Sequence, residues 1–414
     1  MKVMILGANA LQVRGIERIQ EMGHKAIAVD NRVDSPGKKI ADFSAFASTF
    51  DPLACLQVAK EMEIDGIFTS GTDQPVLTAA LVQEAMGLPM PFSVELARRL
   101  TNKRWMKQEF EKNGLPTLPW ALLGRDYKES EIPFSFPAVL KPVDSQGQRG
   151  IFLVHSHQEI QSHIEETLRF SRESKALIEP FYQADEVTVS GWVTKGQTTI
   201  LSIVDRETFQ TPDQLGICLS HEYPTRYAKT RGAELEELTK RIVDVFHIKE
   251  GPIYFQFLIG DKGIVINEIA GRIGGAHEDF VIPRITGFDL LGEQIKLVLG
   301  EHGTMLHLLK EESWQNPKLR ASVQLFFVEP CVIQTVKPPK LGEIKSLVEW
   351  GLHLQAGENQ KEIENATARA GFAIFLSESE EALQGDVKLF YQKMQILDAK
   401  GMNRIVKHNR RERD

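Results

Sequence analysis

Apolar and polar positions along this chain alternate between two rhythms. Residues 3–6 and 26–30 are short apolar runs, and the segment between them, to about Met22, carries helical spacing. That order predicts a βαβ opening. Residues 52–62 repeat the helical pattern, and residues 66–70 form another strand that runs into Gly71-Thr72-Asp73-Gln74. Ligands of open α/β sheets gather beyond the carboxyl ends of the strands, so this polar loop is a candidate for substrate contact. Ser93 caps a helix toward Leu100, and Thr101-Asn102-Lys103 opens a further helix that Gly114-Leu115-Pro116 ends.

Past residue 136 the strands come in pairs. Residues 137–142 form a strand ending in Lys141 and Pro142, followed by the loop 144–150 and a strand at 151–154. Residues 176–179 and 186–189 are strands broken by a short irregular link, and residues 199–204 form another. The stretch 253–275 reads as a hairpin, because apolar and β-branched residues flank a polar, glycine-bounded break. A three-residue loop, Asp261-Lys262-Gly263, sets Gln256 opposite Glu268, with Cβ atoms roughly 5 Å apart on one face. A two-residue turn sets Gln256 opposite Asn267 instead. Residues 290–300 and 380–395 are helical, and 322–328 and 370–376 are strands. The fold class is therefore mixed, α/β at the start and α+β later.

Bulk properties narrow this picture only a little. A chain of 414 residues exceeds what one core usually serves, so two or three domains are expected. The net charge of -7, from 49 basic and 56 acidic residues, argues against general nucleic-acid affinity. No apolar run has the length of a membrane span, and the first residues form a strand, not a leader. Cys55, Cys218 and Cys331 are few, odd in number and far apart, which suggests neither a disulfide framework nor a zinc knuckle. A cytoplasmic protein without a membrane partner is expected. Nicotinamide binding is disfavoured, because after Gly7 the glycines of a dinucleotide loop are replaced by Asn9 and Gln12.

Several stretches carry chemistry. Lys141 is aimed from a strand at a loop, Gly147-Gln148-Arg149-Gly150, whose backbone N–H groups can surround phosphate oxygens. Glu179, the link Phe181-Tyr182 and Glu186 offer carboxylates for ribose hydroxyls and backbone groups for a purine edge. Gln256 and Glu268 are oxygen donors suited to a hard cation such as Mg²⁺. Arg272, followed by Gly274-Gly275, is a fork for an anion beside backbone that can approach closely.

The order Lys103, Lys141 with its glycine loop, Glu179 and Glu186, then Gln256, Glu268 and Arg272 resembles an ATP-grasp enzyme over nearly the whole chain. Within that superfamily it looks most like carboxylate–amine ligases, L-amino acid ligases among them, with features shared by carbamoyl phosphate synthetase and biotin carboxylase. The resemblance implies three parts. Residues 1–100 would form a Rossmann-like domain preceding the ATP-grasp domain. Residues 101–305 would be the ATP-grasp domain, in two subdomains. Residues 306–405 would be a small β-rich domain, and 406–414 a charged tail. It also implies roles. Lys103 and Lys141 would bind the α- and β-phosphates of ATP, and the 147–150 loop would close over the triphosphate. Glu179 and the backbone of Phe181 and Tyr182 would hold adenine, while Glu186 would take the ribose. Gln256 and Glu268 would ligate Mg²⁺, with Mn²⁺ as a substitute, and Arg272 would hold the carboxylate and its acyl-phosphate. Small-molecule carboxylate and amine substrates follow, and the family often forms homodimers.

One departure stands out. The family usually reads Glu-x-Asn-Pro-Arg, whereas here Ala270 follows Glu268-Ile269. Ala270 supplies no ligand and Asn267 falls on the opposite side of an ideal strand, so a second Mg²⁺ would need water or a distant residue. The wording Asn267-Glu268-Ile269-Ala270-x-Arg272 also resembles the aminoimidazole ribonucleotide carboxylase branch, making a bicarbonate-using carboxylase or carbamoyl-forming enzyme the nearest rival. A non-catalytic nucleotide-binding protein is the remaining alternative. Asp205-Arg206-Glu207 and His221 sit where family members line the acceptor site, without a spacing that fixes a role.

Overall fold

The expected βαβ opening is present in the computed structural model, which describes residues 1–209, 211, 214–301, 314–315 and 317–406. Strands β1 (Lys2–Leu6), β2 (Lys25–Asp30), β3 (Phe43–Phe46) and β4 (Gly66–Phe68) form a parallel sheet ordered β3-β2-β1-β4. Val3, Met4, Ile5 and Leu6 are all fully buried. A parallel strand covered on both faces has no solvent side to be polar on. Helices α1 (Val13–Glu21), α2 (Pro52–Met62) and α3 (Pro75–Met86) cover the sheet. Gln12 fills the crevice that a dinucleotide would need. Its amide lies against Gly7 and donates to the Ser70 carbonyl at 2.6 Å.

Helices α4 (Val94–Thr101) and α5 (Lys103–Lys112) lead into a second, antiparallel sheet. It contains β5 (Ala121–Leu123), β6 (Ala138–Pro142), β7 (Phe152–Val154) and β8 (Ala176–Pro180), ordered β5-β8-β6-β7, and it packs against α6 (His157–Arg169).

A third sheet has eight strands. Five come from the middle of the chain: β9 (Ala184–Thr194), β10 (Gln197–Thr208), β11 (Cys218–Tyr223), β12 (Glu250–Gly260) and β13 (Gly263–Ala270). The later strands are β14 (Arg320–Phe326), β15 (Cys331–Lys337), β16 (Leu347–Leu352), β17 (Asn359–Gln360), β18 (Gly371–Ser377) and β19 (Gln395–Asp398). Three of them extend the same sheet beyond β11, giving the order β13-β12-β9-β10-β11-β14-β18-β16. The C-terminal strands are thus joined to the middle of the chain by a continuous ladder, Ser220 pairing with Gln324 and Tyr223 with Ala321. Only β17-β15-β19 form a separate small sheet.

Helices α7 (Gly232–Phe246), α8 (Glu278–Thr286), α9 (Leu290–Val298) and α10 (Glu380–Lys393) complete the fold. One face of the β12–β13 hairpin, including Phe255, Phe257, Ile266 and Ile269, packs on Leu235, Ile242 and Phe246 of α7. Burying each such side chain contributes about 1.5–3 kcal/mol. The other face is left for chemistry. The expected charged tail lies, from residue 407 on, outside the described residues. Among those described, no helix is long and apolar enough to cross a membrane.

Candidate nucleotide and metal site

The hairpin turn is shorter than the three-residue loop expected. Gly260 pairs with Gly263, leaving Asp261-Lys262 as a two-residue turn, and Gly263 takes a φ of 96°. Such a turn alone would set Gln256 opposite Asn267. The ladder instead slips by one residue between Gln256 and Phe257, so that Phe257 faces Ile266 while Gln256 faces Glu268. Asn267 is the extra residue of a β-bulge. The expected Gln256–Glu268 pair therefore exists, but a bulge makes it. Tyr182 pins the turn, its hydroxyl accepting from Lys262 N–H and donating to the Gly263 carbonyl, both at 2.9 Å.

Gln256 and Glu268 open onto a cavity of about 340 Å³ between the second sheet and the hairpin. Lys103, Lys141 and Gln148 line it at one side. Glu179, Phe181, Tyr182 and Glu186 line it at another. These are the residues on which the nucleotide expectation rests.

Their charges are paired off in a definite pattern. Lys103 enters α5 just after the cap Asn102, and its Nζ donates to Glu268 Oε1 at 2.8 Å and to the Ser145 carbonyl at 3.1 Å. Burial opposes ionisation of Glu268, yet Lys103, with Lys141 and Arg272 farther off, pulls its carboxyl below the ordinary range. Lys141 Nζ donates to Glu179 Oε1, and Lys107 Nζ stands 2.8 Å from Glu179 Oε2. Burial again works against the charge, but the two lysines hold the Glu179 carboxyl down to about 2. Glu186 is held by Arg206, which also donates to the Gly216 carbonyl at 2.8 Å. Phe181 N–H donates to the Pro137 carbonyl at 2.9 Å, which fixes the link against the second sheet.

Lys107 was not among the expected residues. A signal was present, since Lys103, Met106, Lys107 and Phe110 form the buried face of α5 at i, i+3, i+4 and i+7. Two lysines on an otherwise apolar face need buried partners. Arg206 was noted in sequence without a role, and the β9–β10 register sets it directly opposite Glu186.

Gly147, Arg149, Gly150 and Arg272, all expected at the site, stand outside the cavity wall. Gly147, Gln148 and Gly150 have φ of 71°, 59° and 69°, so the loop is left-handed at three positions. Gly150 is wedged where a Cβ would lie 2.7 Å from Phe170, and the Gly147 carbonyl accepts from Ala366 N–H at 3.2 Å. Arg149 turns back to the Gln146 carbonyl at 3.2 Å. Gln146 Oε1 accepts from Asp73 N–H at 2.6 Å, which ties the loop to the end of the parallel sheet.

Arg272 is not a free fork. Its Nε donates to Asp73 Oδ1 at 2.7 Å, and its guanidinium lies 4.3 Å from the centre of the Tyr254 ring. The polar loop at 71–74 thus meets Arg272 behind Glu268. Gly275 allows the contact, because a Cβ there would sit 2.8 Å from the Gly71 carbonyl oxygen. Nearby, His221 Nδ1 lies 3.2 Å from Glu278 Oε1. Burial disfavours its charge, but Cys218 and Glu278 push the imidazole up to about 9.

Comparison with known proteins agrees with this geometry. Residues 134–278 match the family profile of the ATP-grasp domain. Dapdiamide A synthase of Enterobacter agglomerans is 19% identical over 324 residues, 76% of this chain and 76% of that protein. Formate-dependent phosphoribosylglycinamide formyltransferase of Bordetella bronchiseptica is 27% identical over 206 residues, 45% of this chain. The aligned part is 48%, about half, of that relative's length. The crystal structure of L-amino acid ligase from Bacillus licheniformis superposes with a TM-score of 0.79 at 18% identity, covering 96% of this chain and 98% of that one. On the profile match, residues 134–278 form an ATP-grasp domain, and the chain as a whole shares the fold of that ligase.

Proposed function

We propose that the protein is an ATP-dependent ligase that activates a carboxylate as an acyl-phosphate and joins it to an amine, releasing ADP and phosphate. One observation carries the reading: Lys103, Lys141, Glu179, Gln256 and Glu268 converge on a single cavity from helix α5 and two sheets. Relatives named as a synthase and as an L-amino acid ligase support it.

In this reading Lys141 and Lys103, each resting on a carboxylate, turn to the phosphates when ATP enters. Glu179 and the link at Phe181-Tyr182 hold the adenine, Glu186 takes the ribose, and the 147–150 loop keeps water from the acyl-phosphate. Arg272 orients the carboxylate and neutralises charge beside it. Gln256 and Glu268 fit Mg²⁺ or Mn²⁺, being oxygen donors without a competing thiol or imidazole. The metal, when bound, neutralises charge on the transferring phosphoryl group. Substrates are a small-molecule acid and amine, and the compartment is one, such as the cytoplasm, in which Cys55, Cys218 and Cys331 remain thiols.

A panel of carboxylates and amines assayed for nucleotide products tests the proposal. ADP and phosphate formed only when both substrates are present is the expected result. AMP formation, or no nucleotide cleavage with any acid, rejects it.

A further inference from the structure

We infer that Asn267, the bulged residue of β13, is a third oxygen ligand of the cation held by Gln256 and Glu268. The inference rests on the ATP-dependent reading above. In a regular strand, consecutive residues face opposite sides of the sheet, and only one of Asn267 and Glu268 could reach the cavity. The core contacts show otherwise. Ile264, Ile266 and Ile269 all pack into one hydrophobic cluster, so the inward spacing is two residues and then three. Asn267 and Glu268 both fall in the longer gap, both are half-buried, and both line the cavity.

The chemistry of the set points the same way. Neither the Gln256 nor the Asn267 side chain makes a hydrogen bond to another described residue, and each stands beside a carboxylate whose buried charge Lys103 now neutralises. Two amide oxygens and one carboxylate form a hard, singly negative donor set. No group of three or more His, Cys, Asp or Glu suited to a metal occurs among the described residues, so amide oxygens are what the chain can add. Ala270, at the position where a ligand is missing from the sequence pattern, is 2% exposed and has no donor.

The test is Mn²⁺ binding without turnover, followed by the electron paramagnetic resonance of free Mn²⁺, with a non-hydrolysable ATP analogue present. Asn267→Leu keeps the side-chain volume and removes the oxygen. It is expected to weaken Mn²⁺ binding at least ~10-fold, with affinity for the metal-free analogue unchanged. Asn267→Asp is expected to bind Mn²⁺ more tightly than the unaltered protein. Unchanged Mn²⁺ affinity in both variants overturns the assignment and leaves the ligase reading standing. An unaltered protein that binds no Mn²⁺ beside the analogue overturns both.

Discussion

Lys103 Nζ rests 2.8 Å from Glu268 Oε1, across 165 residues of sequence. The lysine at the start of α5 thus neutralises the acid proposed to hold the metal. Removing one partner of a buried pair leaves an uncompensated charge and costs about 3–5 kcal/mol. Lys103→Met and Glu268→Gln should each destabilise the fold by that order, and the double variant by less than their sum. Urea denaturation of the four proteins checks the cycle, and none of the three variants should turn over ATP.

Lys107 is expected to matter for nucleotide binding without touching the nucleotide. It and Lys141 are the two cations that face the Glu179 carboxylate. With Lys107→Met, Glu179 keeps one counter-charge and its carboxyl rises from about 2 toward the ordinary range. Relative to the unaltered protein, ATP affinity in that variant should fall as pH drops through the ordinary carboxylate range, from about 6 to about 4. Calorimetric titration at several pH values measures this, and Lys107→Arg should restore most of the affinity.

The Asp73–Arg272 contact joins the loop after β4 to the loop after β13. Asp73→Asn keeps the shape but lets the guanidinium swing from its place. The expected outcome is a fall of roughly 10–100-fold in kcat/KM for the carboxylate, with ATP affinity little changed. Arg272→Lys should be as damaging, because an ammonium cannot hold Asp73 and a carboxylate in one plane. Steady-state kinetics with each substrate varied in turn separates the two effects.

His221 predicts a particular stability profile. An unfolded histidine titrates near 6.5, while here the imidazole is pushed up to about 9 by Cys218 and Glu278 against the effect of burial. A raised folded value means the stabilisation is complete below pH 6.5, declines between 6.5 and 9, and is absent above 9. Urea midpoints should therefore fall over that interval, corresponding to a loss on the order of 3 kcal/mol in stability. His221→Asn should flatten that decline.

The pattern of apolar residues along the chain determined the opening βαβ order and the β12–β13 hairpin, because period and punctuation are local properties, whereas α6, α7 and the strand β11 were not read from it. Lys141 before a glycine loop, and Glu268 at a hairpin, were legible for the same reason. The bulge at Asn267 was legible only in part: the inward spacing of Ile264, Ile266 and Ile269 hints at it, but the turn length had to be known as well. Sequence could not show that Lys103 meets Glu268, that Lys107 meets Glu179, or that Asp73 occupies Arg272. Those pairs join elements 165, 72 and 199 residues apart, and the partner of a buried charge is chosen by how sheets pack. Residue types along the chain determined which chemistry was present. Tertiary packing decided which charges meet, since a Coulomb contact depends on distance in space and on the water excluded around it.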